Sequence, residues 1–599
     1  VLSLQVQAAM PAETPWRRNQ FRVLVRHIFA RFFENDLISF GDQFQTRIVQ
    51  SAVAVAIPGL LWVMFQIASY HGPHPKPFWM QASDHYFFVT FSMVVMGAAT
   101  VLEWDLLFPD TLDAFVLTTL PIAARTLFLA RVSALGLLLG IFLFAANTLG
   151  AIFLCLWYWS MARSAEWYVP GYLGHLGPHL AAVLAGGLFA AALAVALQGL
   201  LLNLLGESLF RTISPALQGL GMMLLLIVLF LFPLLSGLLQ SVLASDSSAV
   251  LWFPPFWFLG IYERLLEGSS AAPIFRDLAR IGCWALSLAL GLLLVTYPLA
   301  YRRKLRRAIE GAPARRKPTP LHAPVHAPLH GPLHAPLCGL LYRTVLRTPE
   351  RRAIYHFISQ TLLRVERHRL YLAAYGGLGL SLVVSSAVGL RLAHHHAALV
   401  LSPYGLLAAV PIAAFWTVAG LRTALLSPID RRGNWLFRAI DGRPGGEHLA
   451  ATRVWVLLQA AAITALVIVM LRVLAPAEVR GVRGVAAQCL VGFGLCLLLT
   501  DGFFWNVLMI PFTAPRVRSS VNLAFLIPAY VVLFPPLVWT TVEHEPWLAA
   551  SLWHLLTAAA LILAADYGLR AAHRHRFREE ARLLEIEDEE EWPPRLGLG

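Results

Sequence analysis

The sequence predicts an all-α, polytopic membrane protein of about twelve transmembrane helices in two six-helix repeats. Three observations predict it. The first is composition: 58% of the 599 residues are hydrophobic and only 14% charged, with a mean hydropathy of +0.64. A soluble protein of this length needs far more charge to cover its surface. The second is the recurrence of continuous Leu/Ala/Val/Phe runs, several longer than the roughly 20 residues that cross a bilayer core. Lipid offers no partners to backbone N–H and C=O groups, so such runs form helices or closed barrels. A barrel would alternate apolar and polar residues in short strands, and these runs do not. The third is the placement of the net charge of +13. With the N-terminus inside, roughly 38 of the 47 Lys and Arg residues fall on the cytoplasmic side. The basic charge therefore reports orientation and contact with anionic membrane lipid, and no nucleic-acid partner is expected.

Residues 1–48 form the N-terminal, cytoplasmic or interfacial segment. They carry charge and lack a short apolar core before small residues, so no cleavable signal peptide is expected. Within RRNQFRVLVRHIFARFFENDLISF, Phe21, Leu24, Val25, Ile28, Phe29, Phe32 and Phe33 recur at helical spacing, with Arg18, Arg22, Arg26 and Arg31 between them. That pattern is an amphipathic helix, lying in the membrane interface or packed on the protein's own cytoplasmic face.

The first six spans are expected near 49–70, 86–103, 127–159, 178–203, 216–242 and 278–300, inside a first half of residues 49–300. The external loop 243–277 places Trp252, Phe253, Phe256, Trp257 and Phe258 around Pro254-Pro255. That composition suits an interfacial aromatic anchor, or a segment dipping into the outer interface. Residues 301–350 then break the apolar pattern, first with YRRKLRRAIEGAPARRK and then with PLHAPVHAPLHGPLHAPL. In the latter His322, His326, His330 and His334 alternate with prolines at the same four-residue spacing, which forbids a helix and favours a semi-rigid extended linker. Metal binding by the four imidazoles is the other reading of that repeat.

The second half, residues 351–570, places its spans near 370–390, 401–421, 454–475, 485–508, 520–540 and 548–569. Residues 571–599 form a cytoplasmic tail, basic beside the last span and acidic beyond it. The two halves read as divergent copies. RHIFARFF (26–33) is echoed by YHFISQTL (355–362), and Leu106, Leu107 and Pro109 correspond to Leu425, Leu426 and Pro428 after each second span. Two weakly similar six-span repeats joined by a cytoplasmic linker are a transporter signature.

The most specific stretch is the cytoplasmic segment 103–131. There Glu103, Asp105, Asp110 and Asp113 alternate with Trp104, Phe108, Phe115 and Leu117. The acids forbid a membrane span, and the segment is longer than an ordinary helix–helix connection. It reads as a docking surface for another protein, or as a helix lying on the bundle.

EWDLLFPDTLDAFVLTTLPIAARTLFLAR resembles the permease subunits of ATP-binding-cassette exporters of the ABC-2 type, through Pro109, Asp113, Leu117, Leu120, Pro121, Ile122 and Arg125. SPIDRRGNWLFR is similar to its counterpart in duplicated permeases, through Pro428, Arg432, Asn434, Trp435, Phe437 and Arg438. The resemblance implies a membrane-spanning export subunit, not itself an enzyme; the Lys and Arg placement puts both termini in the cytoplasm, and the arginine-rich, lysine-poor usage points to a bacterial inner membrane. The resemblance further implies that Asp105, Phe108, Pro109, Asp110, Asp113 and Leu117, with Pro428, Asp430, Arg432, Asn434, Trp435 and Arg438, seat on ATPase subunits. The three lysines, Lys76, Lys304 and Lys317, are neither preceded by Gly nor followed by Ser or Thr, so no phosphate-cradling Gly-Lys-Ser/Thr loop is present. No cofactor is expected in this chain; ATP and Mg would sit on a separate nucleotide-binding partner, in two copies.

Few polar residues fall within spans. Asn147, Gln198, Asn203, Gln459, Asp501 and Asn506 would line a pathway or bond between helices. No catalytic or metal-ligating set is expected, and the five cysteines are scattered without paired spacing. Two other readings stand beside the permease. Asp430-Arg431-Arg432-Gly433 resembles the basic loop motif of major-facilitator secondary transporters, although here it lies between spans eight and nine. A polytopic membrane transferase would need an external carboxylate, for which Asp84, Glu166 and Glu263 are candidates, each isolated in the sequence.

Overall fold

The computed structural model describes residues 15–32, 44–70, 76–108, 122–164, 172–237, 239–243, 248–309, 342–393, 396–427, 446–474, 481–505, 511–512 and 518–583. The protein is an all-α polytopic membrane protein. Among the described residues, ten helices are long and apolar enough to cross a membrane. Two of the twelve expected spans fall on other helices: a shorter apolar helix at Tyr371–Ala387, and Arg518–Ala550. The chain divides into two compact units, Val1–Lys317 with Leu390–Ala398, and Pro318–Gly389 with Leu399–Gly599. The His/Pro repeat lies outside the described residues.

In the first unit, α1 (Pro15–Phe32) is the expected amphipathic helix, and its apolar stripe is used on the protein itself. Leu24, Ile28, Phe29 and Phe32 are buried against Leu127, Ala130, Ala134 and Leu138 of α4 (Ala124–Ser164), while Arg22 and Arg26 face outward. Helix α2 (Phe44–Ser69) packs on α4 and leaves much of its surface to lipid.

The centre of the unit is α3 (Phe78–Leu102). Of its most apolar stretch 83% is buried, against 6–56% for every other candidate span except Pro403–Leu426. The expected span began at 86, but the helix starts at Phe78 because Asp84 and His85 find partners inside the bundle. Helix α5 (Tyr172–Phe230) packs along α3 and runs for 59 residues, roughly 90 Å if straight, too long for one crossing. It is two spans joined at Gly206, whose φ of 73° and ψ of 170° belong to a region that only glycine enters without strain. A short helix, α6 (Pro254–Glu267), opens with prolines in its first turn and buries Phe256, Phe258, Leu259 and Tyr262 between α3, α5 and α7 (Pro273–Ile309).

The second unit repeats the opening. Helix α8 (Pro349–Arg364) is capped by Thr348, whose side chain accepts from the Arg351 N–H, and it packs on α11 (Gly446–Leu474). Arg351 and Thr348 also bind the Glu447 carboxylate, and the Trp455 indole donates to Ser359 at 2.8 Å. In both units, then, the amphipathic helix ahead of the first span packs on the third.

Helix α9 (Glu366–Ala387) packs on α10 (Pro403–Leu426), the enclosed second span, of which 83% is likewise buried. Between them stands a hairpin absent from the sequence reading, β1 (Val388–Ala393) with β2 (His396–Leu401). Its base is closed by the Ser402 N–H donating to Ala387 O at 2.8 Å, and Ser402 also caps α10. Helices α12 (Val482–Phe503), α13 (Arg518–Ala550) and α14 (Leu552–Leu583) complete the bundle.

Candidate functional site

The acidic segment of the first unit begins as a single 3-10 turn, Trp104–Leu107, that is clamped to the bundle. Trp104 and Phe108 are 2% exposed and Leu107 is fully buried. The Gln198 amide donates to Trp104 O at 2.6 Å and the Tyr297 hydroxyl to Leu107 O at 2.7 Å. Phe108 meets Tyr297 edge-on at 5.3 Å, in a cluster with Val195, Ala300, Tyr301 and Leu305. Displacement of this segment would therefore pull on α5 and α7 together.

The equivalent turn of the second unit is held in a similar way. Leu425 O accepts from the Phe512 N–H at 2.8 Å, and Ser427 O meets His368 Nε2 at 2.9 Å. Phe512 adopts a φ of 69° and is buried against Phe357 and His368. A bulky residue in that region signals strain that surrounding contacts must hold. Arg422, one turn before the end of α10, donates to the Tyr530 hydroxyl at 3.1 Å.

Of the residues expected to seat on a partner, Phe108 is placed as above and Asp105 lies in the 3-10 turn. Pro109, Asp110, Asp113, Leu117, Pro428, Asp430, Arg432, Asn434, Trp435 and Arg438 lie outside the described residues, as does Asn506. Of the polar residues within spans, Asn147 pairs with Ser92 on α3 at 2.9 Å and Asn203 donates to Thr296 O at 3.0 Å. Asp501 joins Arg453 and Asp566 in a cluster pinning α11, α12 and α14, with Arg453 Nε at 2.6 Å from Asp501 and its Nη2 at 2.6 Å from Asp566. Asn147, Gln198, Asn203 and Asp501 thus bond between helices, and Gln459 is half-buried on α11.

Toward the opposite end of α3, roughly 27 Å along the helix from Leu102, is a polar cluster that the sequence reading missed as a group. The Lys76 ammonium donates to Asp84 at 2.5 Å, and Tyr158 donates to the same carboxylate oxygen. His85 and His179 meet Nδ1 to Nδ1 at 3.0 Å, so one imidazole donates and the other accepts. The His85 ring stacks on Tyr262 at 3.8 Å. His175 lies one helical turn before His179, and Glu263 follows Tyr262.

All of these groups are buried, Asp84, His85, His179 and Glu263 to 1% exposure. Among the described residues, Asp84 Oδ1, Glu263 Oε2, His85 Nε2, His179 Nε2 and both nitrogens of His175 have no hydrogen-bond partner. Buried polar atoms so placed call for a bound water, an ion or a functional role to satisfy them. Burial, reinforced by the neighbouring Glu267, pushes the Glu263 carboxyl up to about 8. Asp84 and Glu263, isolated in the sequence, are linked through the His85–Tyr262 stack, since Asp84 precedes His85 and Glu263 follows Tyr262. Among the described residues no three His, Cys, Asp or Glu side chains converge as a metal site.

Comparison with protein-family models, curated proteins and solved structures finds no match.

Proposed function

We propose that this chain is the membrane-spanning permease subunit of an ATP-binding-cassette exporter of the ABC-2 type, with both transmembrane halves fused and the ATPase on separate subunits. The observation that carries the reading is the enclosed second span of each unit. Each ends in a turn fixed by hydrogen bonds from other parts of its bundle, at the head of the segments 103–131 and 428–438. A partner pressing on such a segment moves a buried helix and everything packed on it, which is the requirement for transmitting ATPase closure. The repeat of an amphipathic helix packed on the third span in both units supports the same reading. Two nucleotide-binding partners, binding ATP and Mg, would act one on each half, and alternating access between the halves would move the substrate. The orientation is N- and C-termini in the cytoplasm of a bacterial inner membrane, in line with the positive-inside bias.

The test is charge reversal at the assigned docking positions. Asp113→Arg and Arg432→Glu are expected to abolish coupling between transport and ATP hydrolysis while leaving insertion intact. Coupling that survives both changes would remove the docking assignment.

A second reading, a polytopic transferase, is favoured by the buried Asp84, His85 and Glu263 cluster. It requires activity without any ATPase partner and loss of that activity in Asp84→Asn.

A further inference from the structure

Helix α7 changes character along one face. Val295 and Leu299 are 59% and 46% exposed, and Arg303 and Arg307 continue the same four-residue spacing as exposed cations. Residues four apart on a helix share a face, so an apolar, lipid-facing stripe turns basic at a single level. At that level, between α5 and α7, is a shallow surface cleft lined by Leu202, Asn203, Ala300, Arg303, Lys304 and Arg307. It has a fixed wall: Arg303 Nη1 donates to Asn203 Oδ1 at 3.0 Å and to Asn203 O at 3.3 Å. Asn203 is tied in turn to Thr296 O, and the Gly206 kink turns α5 away just beyond it. On the other side the Lys304 ammonium lies 5.4 Å from the Phe108 ring centroid.

We infer that this cleft is a binding site for an anionic phospholipid, its headgroup phosphate held by Arg303, Lys304 and Arg307 and its acyl chains lying along Leu299 and Val295. The ligand chemistry is a phosphate anion, for which a guanidinium pair and an ammonium provide matched donors. A free phosphate would use the same cations, but the apolar stripe continuous with the cleft fits a lipid and gives a soluble anion nothing. Basic pockets between spans on the cytoplasmic side recognise lipid headgroups in this manner. The site does not depend on the permease reading. Because Lys304 also touches Phe108, lipid occupancy would stiffen the root of the segment 103–131.

The experiment is native mass spectrometry of the detergent-purified full chain, titrated with phosphatidylglycerol, phosphatidylcholine or inorganic phosphate. Phosphatidylglycerol is expected to bind in preference to phosphatidylcholine and to resist displacement by millimolar phosphate. The double variant R303Q/R307Q should weaken phosphatidylglycerol binding by about 25-fold, about fivefold for each cation removed. R307Q alone, at an exposed position, should weaken it about fivefold and serves if the double variant is poorly folded. R276Q/R280Q removes two exposed arginines from the opposite end of the same helix and should leave binding unchanged. Equal loss in both double variants, or no loss in either, overturns the site. Displacement by inorganic phosphate overturns its assignment to lipid.

Discussion

Glu263 is a buried carboxyl on α6, next to Tyr262, and burial raises its pKa from the ordinary 4.5 to about 8. The folded state therefore binds a proton that the unfolded state has released. Its contribution to stability is complete below about pH 4.5 and is lost as pH rises through about 8. Thermal unfolding in detergent between pH 5 and 9 should show the midpoint falling over that window. Glu263→Gln, a mimic of the neutral acid, should flatten the fall; an equal fall in the variant would show that Glu263 does not titrate there. Nearby, Lys76 and Asp84 are 3% and 1% exposed at their side chains. Removing one partner of such a pair costs about 3–5 kcal/mol, whereas replacing both with apolar groups is far less harmful. Asp84→Asn should therefore lower the unfolding temperature more than the double variant K76M/D84L. The same ranking reversed would mean that the pair is solvated rather than buried. None of this cluster was legible as a unit in the sequence. His85 and His179 meet across 94 positions, and each acid stands alone in its own segment. Residue types next to a span reveal burial only after the helices are assembled.

Whole elements were easier to read. Ten of the expected spans coincide with long apolar helices, because 18 or more apolar residues allow little else in lipid. The errors fall at the ends that carry polar residues. Helices α3 and α5 start earlier than the apolar runs suggest, since Asp84, His85 and His175 are accommodated inside the bundle. The hairpin at 388–401 escaped notice because its alternation is weak and it abuts two spans. Packing between elements makes its own demand at Gly199 on α5. A Cβ there would lie 2.9 Å from Thr296 Oγ1 and 3.0 Å from the Thr296 carbonyl carbon, so α5 and α7 touch through backbone. Small residues at such crossings let helices approach closely. Gly199→Val should destabilise the protein by about 1–3 kcal/mol. It should also weaken the clamp on the segment 103–131, since Gln198 and Tyr297 flank the contact. A variant as stable as the parent would place the two helices further apart than described.

For the whole molecule, the two units share an order of parts: an amphipathic helix that packs on the third span, then an enclosed second span that ends in a clamped turn. The echo of RHIFARFF in YHFISQTL and the matched Leu-Leu-x-Pro sequences are the sequence counterpart of that shared order. Which polar groups line a route was not readable, because a single span sequence does not say which face meets a neighbour. Asn147, Gln198, Asn203 and Asp501 proved to be bonded between helices. The permease reading depends on a partner that supplies ATP hydrolysis. The direct measurement is mild-detergent purification from native membranes, with mass spectrometry of the proteins that accompany the chain. The account predicts a stoichiometric P-loop ATPase, two copies per permease. A chain that purifies alone and moves a solute on a proton gradient would contradict it and identify a secondary transporter instead.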